Sequence, residues 1–180
     1  VRTYSGKAAY KEEKIEKAAF EYVRRTGFCI PLKTGIEAIP IMMYLEQLPS
    51  VSKFCSGAGL HFTRELDETR VKEKLLPFGK IEFAKGYMVD RYSFTGDRLF
   101  LNEETLTPPT SSFMSKVVWR DVSRDSQARR MKATLLPPGF ICGNSLGVVY
   151  GDEGALSSLK MLLAVMNSMV FEYQARSMLV

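Results

Sequence analysis

Between Leu156 and Tyr173 apolar residues return at helical spacing: Leu156, Leu159, Leu162, Leu163, Met166, Met169, Val170 and Tyr173. The stripe runs for about five turns, and a stripe of this width is stable only when another layer covers it. Ser157-Ser158 near its start suits a cap, and Asn167-Ser168 interrupts it as a helix–helix contact would. The methionines Met161, Met166, Met169 and Met178 read as core filler.

The layer that covers this helix has to come from upstream. Residues 10–26 predict an amphipathic helix, with Ile15, Ala18, Ala19, Tyr22 and Val23 on one face and Gly27 as its stop. Phe28–Leu32 is a short strand candidate, and Ile36–Leu48 predicts a second helix with Pro40 in its first turn. From Gly57 to Phe100 short apolar runs (Leu60-His61-Phe62, Ile81-Glu82-Phe83, Leu99-Phe100-Leu101) alternate with charged, glycine-containing turns, the pattern of small strands. Thr107–Ser112 is a proline-rich loop. Val117-Val118-Trp119, Ala133–Leu136 and Ser145–Tyr150 are further strands, with a turn at Pro137-Pro138-Gly139. The predicted class is α+β: a mixed or antiparallel β region with helices at the N- and C-terminal ends, the last of them long. An N-terminal helical segment, 1–56, precedes an α+β domain, 57–180, in one compact unit.

Size and composition agree. A chain of 180 residues with 46% hydrophobic content supplies one core and hardly two, and 25% charged residues is the globular norm. No apolar run reaches the roughly 20 residues needed to cross a bilayer, which predicts a soluble protein. Cys29, Cys55 and Cys142 are odd in number and far apart, which favours a reducing cytoplasm over a disulfide framework. With His61 as the single histidine they form no recognisable zinc pattern. Val1-Arg2-Thr3-Tyr4 carries neither a leader nor an initiator methionine, and the chain stops within helical sequence, so a piece of a longer protein is expected.

The net charge of +5 is unevenly placed. Lys116, Arg120, Arg124, Arg129, Arg130 and Lys132 stand against Asp121 and Asp125, so this segment carries +4 of it. A basic segment in an otherwise neutral chain points to an anionic partner, nucleic acid first. A solvated, charged connection accounts for the same residues equally well.

Motifs for chemistry are sparse. There is no Gly-x-Ser-x-Gly elbow, no phosphate-binding Gly-x-x-x-x-Gly-Lys loop and no Gly-x-Gly-x-x-Gly turn. Pro108-Pro109 and Pro137-Pro138 lack the preceding Asn or Asp of an exocyclic-amine methyltransferase loop. Asp67 and Glu68 followed by Lys72-Glu73-Lys74 approximate the acids and lysine of a Mg²⁺-dependent nuclease, a charge pattern that solvated helices also show. His61, between Leu60 and Phe62, should point off one strand face.

An ordered set of motifs is more informative. Lys85-Gly86-Tyr87-Met88-Val89-Asp90-Arg91-Tyr92 is followed by Trp119-Arg120-Asp121, then Arg130-Met131-Lys132-Ala133 and Pro137-Pro138-Gly139. Gly143-Asn144-Ser145 and Leu163-Ala164-Val165-Met166-Asn167-Ser168 complete it. Over about residues 80–176 this resembles the target-recognition domains of DNA restriction–modification enzymes, in particular the TaqI-like C-terminal specificity domain of type IIS restriction endonucleases. The resemblance implies a module that reads double-stranded DNA, joined to other domains of its parent, with no catalytic residue of its own. Mg²⁺ would serve a nuclease domain elsewhere, and S-adenosylmethionine would enter only with an attached methyltransferase. The expected DNA-binding residues are Lys116, Arg120, Arg124, Arg129, Arg130, Lys132 and Asn144. Arg120, held by its neighbour Trp119, would read a guanine edge, while Arg129, Arg130 and Lys132 would hold phosphates. Asn144 reads a base or simply makes a turn. The location implied is the bacterial cytoplasm, without a membrane partner. Two other readings stay open: a fragment with part of a nuclease centre around Asp67 and Glu73, and a helix-mediated assembly module.

Overall fold

The computed structural model describes residues 2–5, 9–12, 17–26, 35–102, 107–122 and 127–178. The chain divides into two compact units, Val51–Glu172 and Val1–Ser50 with Tyr173–Val180. The class is α+β, with helices in the last part of the chain. Among the described residues no helix is long and apolar enough to cross a membrane.

In the smaller unit, β1 (Arg2–Ser5) pairs antiparallel with β2 (Ala9–Glu12). The helix predicted over 10–26 therefore begins only at Lys17, as α1 (Lys17–Arg25). The alternating charges near residue 10 suit a helix face equally well, and pairing with an upstream strand leaves no mark in local periodicity. Ala19, Tyr22 and Val23 of α1 pack on Ile39 and Met42 of α2 (Ile39–Leu45), with Tyr173 beside them. Pro40 sits in the first turn of α2, where its missing N–H leaves no hydrogen bond unmade. The strand candidate Phe28–Leu32 lies outside the described residues.

The larger unit begins with α3 (Val51–Gly57) and β3 (Leu60–Thr63), then α4 (Glu68–Val71). Five short strands follow: β4 (Leu75–Leu76), β5 (Ile81–Ala84), β6 (Val89–Asp90), β7 (Ser93–Phe94) and β8 (Phe100–Leu101). The chain continues through β9 (Lys116–Arg120), β10 (Ala133–Leu136), β11 (Phe140–Cys142) and β12 (Leu146–Gly151). It ends in α5 (Leu156–Met166) and α6 (Met169–Met178).

The main sheet has the order β10-β9-β12-β3 and is antiparallel throughout. Alternation of side chains gives it two apolar faces. Val117, Ala133, Val149 and Leu60 meet Leu159, Leu162, Leu163 and Met166 of α5 and Cys55 of α3. Val118, Leu136, Leu146 and Val148 pack instead on Ala84, Cys142 and Val89. Ala84 and Cys142 belong to a second, mixed sheet, β11-β5-β8-β4, in which β11 and β5 run parallel. The β9 and β12 strands thus lie between helices and a second sheet, which explains their nearly unbroken Val-rich sequences. Gly147 faces Trp119 across the ladder, and a Cβ there would meet the indole ring at 2.1 Å.

The long C-terminal helix predicted from the stripe is two helices. The break falls at Asn167-Ser168, where the side chain of Asn167 turns away to bond the edge of β10. Ser168 Oγ then accepts the backbone N–H of Phe171 (3.1 Å) and caps α6. Ser157-Ser158 fall inside α5 rather than at its cap, Ala155.

Candidate nucleic-acid interface

The 85–92 segment and the basic segment, about 30 residues apart in sequence, lie together in the larger unit. Val89-Asp90 and Ser93-Phe94 form a hairpin closed by Arg91 and Tyr92. Tyr92 takes φ +57°, a left-handed conformation unusual for a bulky side chain. Its N–H is held by Ala133 O at 2.9 Å. From β9, Arg120 Nε donates to Val89 O (2.7 Å) and Nη2 to Tyr87 O (2.9 Å). Lys132 Nζ reaches Asp90 Oδ2 at 2.8 Å. Asp90 Oδ1 also accepts the backbone N–H of Arg91 (2.7 Å). The Lys132 hydrogen bond, then the Arg91 N–H and the charges of Lys132 and Arg120, hold the Asp90 carboxyl below the usual range.

Asp90, Arg91, Gln127, Ala128, Arg129 and Lys132 line a cleft of about 440 Å³. Three cations against one carboxylate make its wall electropositive. Tyr92 (56% exposed) lies at the same hairpin, with Tyr87 (59% exposed) shortly before it, both offering ring surface to solvent.

The seven expected DNA-binding residues separate accordingly. Arg129 and Lys132 line the cleft. Arg124 lies outside the described residues. Lys116 is a correction: its side chain and that of Glu65 are both fully buried and paired. Lys116 Nζ also donates to Phe140 O (2.8 Å), while Glu65 accepts Ser111 Oγ–H and the Cys142 N–H (2.6 Å). An ammonium so enclosed cannot reach a phosphate. Arg130 is 9% exposed, and its backbone N–H is fixed by Glu172 Oε1 (2.9 Å). Glu172 takes the Met131 N–H as well, so one buried carboxylate sets the course of the chain entering β10. Arg120 is a brace: its two carbonyl bonds tie the 86–90 segment to β9, and the Nη2 edge needed for a base-reading fork is engaged.

Asn144 belongs to a turn on another edge. Its Oδ1 accepts the Glu68 N–H (3.4 Å), and its carbonyl accepts Arg64 Nη1–H (3.2 Å). Glu68 Oε1 accepts both the N–H (3.1 Å) and the hydroxyl of Ser145, while a Cβ on Gly143 would meet Glu68 at 2.4 Å. Gly143-Asn144-Ser145 is therefore shaped to receive the first turn of α4, and the Asn144 side chain is engaged in that turn.

The acids considered for a nuclease centre are engaged in the same way. Asp67 caps α4, accepting Thr69 N–H (2.9 Å) and Thr69 hydroxyl (2.7 Å), which hold its carboxyl below the usual range. Glu68 clamps the turn just described, and Glu73 is exposed in a 3₁₀ turn. His61 lies off the β3 face with its ring 5.4 Å from Tyr150. Charge counting alone did not single out Arg91 as a lining residue; its place between a carboxylate and an exposed tyrosine in Asp90-Arg91-Tyr92 was the available signal. No protein-family model matches this chain, and no curated protein matches it either.

Proposed function

We propose that this chain is a sequence-specific double-stranded DNA recognition domain of a type II restriction endonuclease, contacting phosphates through Arg91, Arg129 and Lys132. The observation that supports this reading is the cleft lined by those three cations beside the exposed ring of Tyr92. Guanidinium and ammonium groups on a concave wall suit the phosphate backbone, and an exposed tyrosine offers a face to sugar or base. Within this reading Arg120 positions the 86–90 segment rather than touching DNA. Catalysis, with its Mg²⁺, belongs to other domains of such an enzyme.

Selection of bound duplexes from a randomised pool tests the proposal. It expects enrichment of one short sequence, which then binds at least about a thousandfold more tightly than scrambled duplex at the same salt. A pool that stays random through repeated rounds excludes sequence reading, and recovery of no duplex at all excludes DNA as the partner.

A further inference from the structure

Arg91, Arg129 and Lys132 line one cleft, and one donor of Arg91 has no acceptor there among the described residues. Arg91 Nη2 donates to Asn167 O at 3.2 Å, which fixes the guanidinium at the end of α5. Its Nε is buried and finds no hydrogen-bond partner among the described residues. A buried donor on a charged group without an acceptor is costly, and a site that keeps one is built for a ligand that supplies it. Arg129 and Lys132 line the same cleft. The neighbouring carboxylate of Asp90 already shows what such an acceptor looks like: it takes Lys132 Nζ with one oxygen and the Arg91 backbone N–H with the other. Tyr92 completes the arrangement, held in its left-handed conformation beside Arg91, whose guanidinium carbon lies 5.8 Å from the ring centroid. Strained backbone of this kind persists where the surrounding structure fixes it, and ligand clamps are a common setting.

We propose that this cleft takes one phosphate group, bound by Arg91, Arg129 and Lys132, and that Asp90 is an internal counter-charge which holds Lys132 until the phosphate replaces it. The proposal rests on the DNA-recognition reading for the source of the phosphate, a strand of the duplex; a mononucleotide would offer the same chemistry. Asp90 thereby weakens binding to every sequence alike, because what it opposes is a backbone contact. An anion that competes equally with any phosphate for Lys132 carries no sequence information, so its removal raises affinity without sharpening preference.

Calorimetric titration of the full chain tests this with two ligands, a short duplex and thymidine monophosphate, at one fixed salt concentration. The variants are Asp90→Asn, which keeps the acceptor for the Arg91 N–H but removes the charge, and Arg129→Ala, which removes a cation lining the cleft. Asp90→Asn is expected to tighten duplex binding about fivefold, the scale of one exposed ion pair, and Arg129→Ala to weaken it by a similar factor. Duplex binding that neither variant alters overturns the cleft while leaving DNA recognition standing. Thymidine monophosphate bound, strengthened by Asp90→Asn and weakened by Arg129→Ala, with no duplex binding, supports the phosphate site and overturns DNA as its source. Binding of neither ligand by the wild type and by Asp90→Asn overturns both. Should Asp90→Asn fail to fold, the Arg129→Ala titration decides alone.

Discussion

The side-chain amide of Asn167 pairs with both backbone groups of Ala133: Oδ1 accepts the N–H at 3.1 Å and Nδ2 donates to the carbonyl at 2.9 Å. Ala133 begins β10, the outer strand of the main sheet, so one amide stands in for a neighbouring strand and closes an edge that would otherwise be open. Both partners are buried. Asn167→Ala leaves the Ala133 N–H buried without its acceptor and should cost about 2–4 kcal/mol, read from urea unfolding. Asn167→Asp keeps the bond from the Ala133 N–H but sets a buried carboxylate oxygen against the Ala133 carbonyl, and should cost at least as much. A loss below about 0.5 kcal/mol for Asn167→Ala would mean that water or another group satisfies the edge.

Lys116 and Glu65 make a buried pair whose individual members cannot be removed cheaply. Lys116→Met should destabilise the fold by about 3–5 kcal/mol, because it leaves the Glu65 carboxylate buried with only neutral donors. Lys116→Met combined with Glu65→Leu should recover only part of that loss, because the Cys142 N–H and the Ser111 hydroxyl then lack the Glu65 acceptor. A double-mutant cycle in denaturant measures both, and simple additivity of the two single changes would show that the pair is not coupled.

Cys55 and Cys142 are both buried and free. Burial pushes the Cys142 thiol far up, with the Glu65 carboxylate adding to it, and burial raises Cys55 as well. Since the thiolate is the nucleophile, a raised pKa means less reactive anion at any given pH. At about pH 9, where a free thiol near 8.5 is mostly ionised, iodoacetamide should leave both residues unmodified in the native protein and label both in urea. Rapid native labelling of Cys142, located by peptide mass mapping, would contradict the burial described here.

Much of the larger unit was legible because its strands are short, β-branched and punctuated. Val117-Val118-Trp119, Ala133–Leu136 and the turn at Pro137-Pro138-Gly139 fall where local chemistry puts them, and Gly139 takes φ +102° in that turn. What local pattern could not carry was pairing at a distance. Met166 and Met169 keep helical spacing on either side of Asn167-Ser168, so that interruption reads as a helix–helix contact within one helix rather than as a break between two. The break itself is set by Ala133, 34 residues away from Asn167.

The candidate site was legible in the same partial way. Counting charge between Lys116 and Lys132 finds a basic segment but cannot say which cations have buried partners. Lys116 is matched by Glu65, 51 residues upstream, and the entry to β10 at Arg130 is fixed by Glu172, 42 residues downstream. Arg129 and Lys132 remain on the cleft, and Arg91 joins them because the hairpin of β6 and β7 folds against β10. The motif order sets the 85–92 segment before the β9 strand but does not say that the two touch, and the turn Gly143-Asn144-Ser145 lies on another edge, where Glu68 takes its hydrogen bonds.

We propose that the three cations of one cleft, rather than six spread along the segment, hold nucleic acid. Each neutralised phosphate lowers the slope of log K against log salt by roughly 0.9. Fluorescence anisotropy of a labelled duplex, titrated over a range of salt concentrations, should therefore give a slope of about −0.9 for the wild type, one phosphate in the cleft, and a shallower slope for Arg129→Ala. A slope near −5, unchanged by Arg129→Ala, would return the whole basic segment to the DNA; a slope near zero would remove phosphate contacts from the account altogether.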